Sequence, residues 1–192
     1  MLRELRYQLR WALPLWLVGL LTNWWPDNRI ALRVRGALAR LFIRRCGRGF
    51  ELGRNVTLLN THRLEIGDFV YIAQGTWLNC LGELTIEDEV IIAPYVVIST
   101  LQHVFKDRSV RFGGSVAGPV VIGRGTWLAA HVAVKCGVRI GKGNIIAANA
   151  VVTKDTADYA IMSGVPAKAI GEVQDRPAEL SGRWGVVDQL RE

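Results

Sequence analysis

The sequence predicts an all-β solenoid, a parallel β-helix of short strands, with a helical N-terminal arm and one protruding loop at about residues 101–119. Three observations predict it. Aliphatic residues recur every six positions over much of the chain, the recurrence lapses across one charged and glycine-containing stretch, and arginines crowd the region before residue 49. The 192 residues allow one main domain with small appendages. The divisions read as a basic, Trp-rich helical arm over 1–48, a β-helix domain over 49–170 and a C-terminal tail over 171–192.

The arm comes first. It holds ten arginines against two acids, Glu4 and Asp27, a net +8 in a chain whose total is +7. The remainder is therefore near neutral, and a nucleic-acid partner is not expected. The longest apolar run, Trp11 to Leu21, falls well short of the ~20 residues that span a bilayer. No small-x-small cleavage site follows it, so a signal peptide is not expected. Further on, Arg29, Arg33, Arg40 and Arg44 share one helical stripe, with Ile30, Val34, Leu38, Leu41 and Phe42 on the other side. Two roles stay open for such a segment. It lies on an anionic membrane surface, or it caps the solenoid with its apolar face and leaves its arginines solvated.

Three cysteines, Cys46, Cys80 and Cys136, are too few and too scattered for a disulfide framework or a zinc knuckle. A cytoplasmic protein follows as the expectation, peripheral at the inner face of the membrane where the arm takes the first of its two open roles.

The repeat begins clearly at Ile66. It continues through Ile72, Leu78, Ile86, Ile92 and Ile98, then resumes at Ile122, Leu128, Val134, Ile140, Ile146 and Val152. One position on, eight of these twelve hexads carry Gly, Ala or Glu; four positions on, nine carry Val, Thr or Ala. Neither an alternating strand nor an amphipathic helix gives period six, so these are hexapeptide repeats of a β-helix. Each hexad supplies a short strand and a corner, and three close a coil of about 18 residues. The interval of eight between Leu78 and Ile86 marks a bulge near Gly82. A long loop leaving a rigid solenoid is usually functional, which puts the active site at residues 101–119.

The stretch NCLGELTIEDEVIIAPYVVISTLQHVF, the loop, GPVVIGRGTWLAAHVAVKCGVRIGKGNIIAANAVVTKD and the tail SGVPAK resemble the colanic acid, galactoside and maltose O-acetyltransferases. The likeness covers about residues 66–170 and leaves out the arm. It implies a left-handed coil, acetyl-CoA as co-substrate, no metal, and a homotrimer with sites between subunits. In such enzymes the histidine matching His103 is the general base, a role an imidazole suits because a hydroxyl is a poor nucleophile at neutral pH. The resemblance likewise puts Trp127 beside acceptor and pantetheine. It assigns the Ala130 N–H to the thioester oxygen, where only a backbone donor is needed. Ala148, Thr153 and Lys154 would line the cofactor, with Lys168 near its nucleotide end. From Val120 to Ile170 six bases face two acids, as phosphates require.

Where the galactoside and maltose enzymes hold a free sugar with an Asn and an Asp, this chain has Ala73 and Leu81. A sugar within a polysaccharide or lipid-linked precursor is the expected acceptor, with Asn79 and Glu83 as contacts. His62 and His131 read as ordinary surface residues. Two other classes share the solenoid. A γ-type carbonic anhydrase binds zinc with three histidines, but it sets two of them five apart in one loop, unlike His62, His103 and His131. A non-catalytic scaffold needs neither the loop histidine nor the VTKD segment.

Overall fold

A computed structural model describes residues 2–174 of the chain. Most of the tail assigned to 171–192 lies outside them. Three parallel sheets form the walls of a triangular prism. The first wall holds β1 (Arg45–Cys46), β4 (Leu64–Ile66), β7 (Leu84–Ile86), β12 (Val120–Ile122) and β15 (Arg139–Ile140), in that order. The second runs β2 (Glu51–Leu52), β5 (Tyr71–Ile72), β8 (Ile91–Ile92), β13 (Trp127–Leu128), β16 (Ile145–Ile146) and β18 (Ala160–Ser163), closed by antiparallel β19 (Lys168–Glu172). The third runs β3 (Thr57–Leu59), β6 (Trp77–Asn79), β9 (Val97–Ser99), β14 (Ala133–Val134) and β17 (Val151–Val152).

The six-residue period has a plain physical cause. All twelve aliphatic positions read from the sequence are buried to 3% exposure or less, stacked along the prism axis. Each such side chain is worth roughly 1.5–3 kcal/mol of burial, and every internal strand is hydrogen-bonded by the coil on either side. At the corners the backbone enters the left-handed region, including Tyr95, His131 and Asn149 at φ 61°.

The solenoid starts earlier than the repeat made evident. Cys46, Leu52 and Leu58 form a complete first coil, again six apart. Coil length also changes along the prism. Arg45, Glu65 and Thr85 are in register, a spacing of twenty residues, whereas Val121 pairs with Arg139 eighteen later. The two extra residues fall at the corner between the third and first walls, so the bulge at Gly82 repeats one at Asn60–Arg63.

The arm folds into α1 (Leu2–Tyr7), a π-helical turn (Gln8–Ala12), α2 (Leu13–Thr22) and α3 (Arg29–Ala39), capped by the Asn28 side chain on the Ala31 N–H at 2.9 Å. α3 packs on β2, but not through the expected apolar stripe. Its buried face is Ala31, Arg35, Gly36 and Ala39, while Ile30, Leu38 and Leu41 are exposed. Small residues win here because the approach is close. A methyl group on Gly36 would lie 2.0 Å from the Phe50 carbonyl oxygen. The Arg35 guanidinium, 1% exposed, joins Asp27 and the Leu52 carbonyl at 2.8 Å each. The arginines are not simply solvated either. Arg33 pairs with Glu51 at 3.0 Å, Arg44 with Glu65 at 3.4 Å and Arg48 with Asp68 at 3.1 Å, acids of the first two coils.

Candidate active site

Residues 101–119 leave the prism between β9 and β12, and they are more ordered than an irregular loop. β10 (Leu101–His103) pairs antiparallel with β11 (Ser115–Ala117), with His103 directly opposite Ser115. Cross-strand neighbours share a face of the ladder. The Ser115 Oγ accordingly lies 3.3 Å from His103 Nδ1. When Nδ1 carries the proton and donates to Ser115, Nε2 is left as the basic nitrogen. His103 is exposed and free to meet a hydroxyl.

The root of this hairpin is tightly fixed. Thr100, fully buried, accepts a 2.7 Å hydrogen bond from the Gly82 N–H and donates one of 2.8 Å to the Asn79 carbonyl. The Gly118 N–H donates to the Thr100 carbonyl at 3.0 Å, closing the base. A Cβ on Gly82 would sit 2.4 Å from that same carbonyl oxygen, so glycine is required where the hairpin departs.

The predicted site residues fall into two groups. Asn79, Glu83, Thr153 and Lys154 stand with the hairpin root at the corner between the third and first walls. Asn79 Oδ1 already accepts from the Asn60 side chain at 3.0 Å, and Glu83 pairs with Arg44 at 3.5 Å across an exposed surface. Thr153 is half-buried and Lys154 exposed, just beyond β17.

Trp127, Ala130, Ala148 and Lys168 belong to the second wall and its far corner. Trp127 points outward from β13, 44% exposed, and Lys168 lies on β19 at the end of the same wall. Ala130 and Ala148 stack in successive coils, linked by the Asn149 N–H to the Ala130 carbonyl at 3.0 Å. The third wall separates the two groups. The main cavities of the single chain lie at its other end, around α1–α3 and the first coils, and neither group lines them.

The other histidines stand apart. His131 stacks on Tyr95 with ring centroids 5.2 Å apart. His62 is not an ordinary surface residue: Tyr7 and Trp11 of the arm cover it, at 5.3 and 6.3 Å between ring centroids. Burial, helped by Arg63 and Arg44, pushes its pKa below the usual histidine value. Its Nδ1 is buried without a hydrogen-bond partner. Among the described residues no three His, Cys, Asp or Glu side chains converge as metal ligands.

Comparison with known proteins decides the family. Residues 119–154 match the bacterial transferase hexapeptide model of six repeats. The galactoside O-acetyltransferase of Escherichia coli K12 is 37% identical over 93 residues, 48% of this chain and 46% of that enzyme. The protein named for colanic acid biosynthesis in the same organism, the acetyltransferase WcaF, is 30% identical over 168 residues, 88% of this chain and 87% of its own. The chain belongs to the hexapeptide-repeat acetyltransferases. A galactoside acetyltransferase in complex with coenzyme A superposes at a TM-score of 0.77 over 92% of this chain and 87% of its own, at 25% identity. A Vibrio cholerae hexapeptide-repeat acetyltransferase complexed with acetyl-coenzyme A gives 0.74 over 84% and 86%, also at 25%. The coil of this acetyltransferase is the left-handed one of its family.

Proposed function

We propose that this acetyltransferase moves an acetyl group from acetyl-CoA to a hydroxyl of a sugar in a polysaccharide or lipid-linked glycan precursor. His103 removes the hydroxyl proton through Nε2 as the oxygen attacks the thioester carbonyl. The Ala130 N–H receives the developing oxyanion, and the CoA thiolate leaves carrying the electron pair of the broken C–S bond. Transfer is direct, with no acyl-enzyme and no metal. Trp127, Ala148, Thr153, Lys154 and Lys168 bind the donor; Asn79 and Glu83 contact the acceptor. The observation that carries the reading is His103, exposed at the foot of a hairpin, with its Nδ1 3.3 Å from the Ser115 hydroxyl.

The split of these residues over two edges of one prism supports a trimer. A convex edge cannot enclose a pantetheine arm, whereas three prisms side by side form grooves where His103 of one chain faces Trp127 and Ala130 of the next. Closed cyclic symmetry suits such a heterologous contact. Residues 1–48 attach the enzyme to the inner face of the membrane, where lipid-linked precursors gather. No helix among the described residues is long and apolar enough to cross a membrane, so the attachment is peripheral.

The test uses two inactive variants from the two edges, His103→Ala and Trp127→Ala, assayed alone and after subunit exchange. His103→Ala lowers kcat by about 10²–10⁴ with little change in CoA affinity. Mixed trimers regain part of the activity, because one groove in the mixture combines two intact halves. Near-normal turnover of His103→Ala removes the base from the mechanism, and no recovery despite proven exchange removes the shared site.

A further inference from the structure

Within the arginine stripe, Arg33 pairs with Glu51 and Arg44 with Glu65, acids of the first two coils, and Arg40 donates to the Cys46 carbonyl. The free surface of the arm lies elsewhere. Leu2–Thr22 forms one helical run, broken in pattern only by its π-turn, and it is fixed in orientation. Val18 and Thr22 are buried beneath it, and Tyr7 Oη accepts a hydrogen bond from the Asn60 N–H at 3.1 Å. On the other side Leu5, Leu9, Leu13, Trp16, Leu20 and Trp24 recur every three or four residues. Their exposure runs from 43% for Leu13 to 75% for Trp24.

With Leu17 and Leu21 widening this stripe, the exposed apolar area is on the order of 1,000 Å², above the few hundred Å² of an ordinary monomer's largest patch. The run is about 30 Å long at 1.5 Å per residue. Arg6 and Arg10 lie exposed at its margin, and Arg10 covers the Trp11 ring at 4.5 Å. An apolar face edged by cations fits a helix lying in the interfacial plane of a bilayer, leucines and tryptophans toward the acyl chains and guanidiniums at phosphates. A second copy of the arm is the poorer occupant. Pairing two such arms brings together two segments of net +8, whereas anionic headgroups neutralise that charge.

We propose that the face of Leu2–Thr22 bearing Leu9, Leu13, Trp16 and Leu20 is the membrane-docking surface, and that anionic phospholipid is its partner. The proposal rests on the attachment reading above and moves the contact from α3 to α1–α2. It is independent of the chemistry at His103.

The experiment is vesicle flotation of the full-length enzyme with vesicles of phosphatidylglycerol and phosphatidylcholine, and of phosphatidylcholine alone, at low salt. Binding to the anionic vesicles is expected. The variant Leu13→Gln/Trp16→Gln/Leu20→Gln, all at exposed positions, should bind at least about 100-fold more weakly, since each side chain loses its apolar transfer energy. Arg33→Gln/Arg40→Gln should bind within a few-fold of wild type. The reverse ranking, with the α3 variant detached and the triple variant bound, overturns this surface while leaving attachment intact. Failure of the wild type to float overturns both. A triple variant that changes oligomeric state in sedimentation velocity identifies the stripe as a subunit contact and also overturns the proposal.

Discussion

Replacing Gly82 with alanine should disable the enzyme without touching a reacting group. The added methyl would lie 2.4 Å from the Thr100 carbonyl oxygen and 2.9 Å from the Gly118 nitrogen, both in the root of the hairpin that carries His103. Ordinary contact between carbon and oxygen needs about 3.4 Å, so the root must retreat by roughly 1 Å. The prism wall beneath is close-packed and cannot yield by that much, whereas the hairpin is solvent-exposed on both faces and can. His103 sits three residues from Thr100 and moves with it. A displacement of ~1 Å at a catalytic group costs on the order of 10² in rate, and overpacking costs ~1–3 kcal/mol of stability. Steady-state kinetics should therefore show kcat falling about 30- to 100-fold, with a KM for acetyl-CoA near that of the wild type. Far-UV circular dichroism and a lowered but cooperative melt would show the coils intact. Full activity with an unchanged melt would refute the reasoning, because it would mean that the root of the hairpin does not set the position of His103.

Two further consequences follow from single side chains. Ser115→Ala removes the hydroxyl 3.3 Å from His103 Nδ1 and should lower kcat about 3- to 30-fold, with a shifted pH–rate profile and partial rescue by Ser115→Thr; an unchanged profile would deny Ser115 a part in holding the tautomer. The lowered pKa of His62 makes the packing of Tyr7 and Trp11 depend on neutral imidazole. That packing is fully present above the ordinary histidine value of about 6.5 and weakens as pH falls through the lowered one. Trp11 emission should accordingly report release of the arm on acidification below pH 6.5, and His62→Phe should remove the dependence; a release that persists in the variant points to another group.

The repeat was legible because it is enforced twice over, by the aliphatic residue filling the prism and by the small residue that lets the corner turn. The first coil satisfies the same two demands, with Cys46–Gly47 and Leu52–Gly53 in phase with Leu58. It was obscured because cysteine is a weak apolar signal and arginines flank it. The face through which α3 caps the solenoid departs from the expected one for a different reason. A helical wheel assumes that the apolar side is buried, but α3 meets the Phe50 backbone too closely for large side chains, so Ala31, Gly36 and Ala39 take the contact. Ile30 and Leu41 were displaced to solvent, and Arg35 entered the core because Asp27 and the Leu52 carbonyl were there to receive it.

The hairpin lay between these extremes. Its departure point was marked by the lost hexads and Gly82, while the pairing of His103 with Ser115 depends on a turn whose register the eleven intervening residues do not specify. Local demands on a corner or a strand leave a periodic trace in sequence. Contacts between elements far apart in the chain leave only residue types, and those become specific once the backbone distance between the elements is known. The site belongs to the second kind. His103 and Trp127 lie on either side of the third wall, and in the trimer proposed above their usefulness to each other depends on a surface that one chain does not complete by itself.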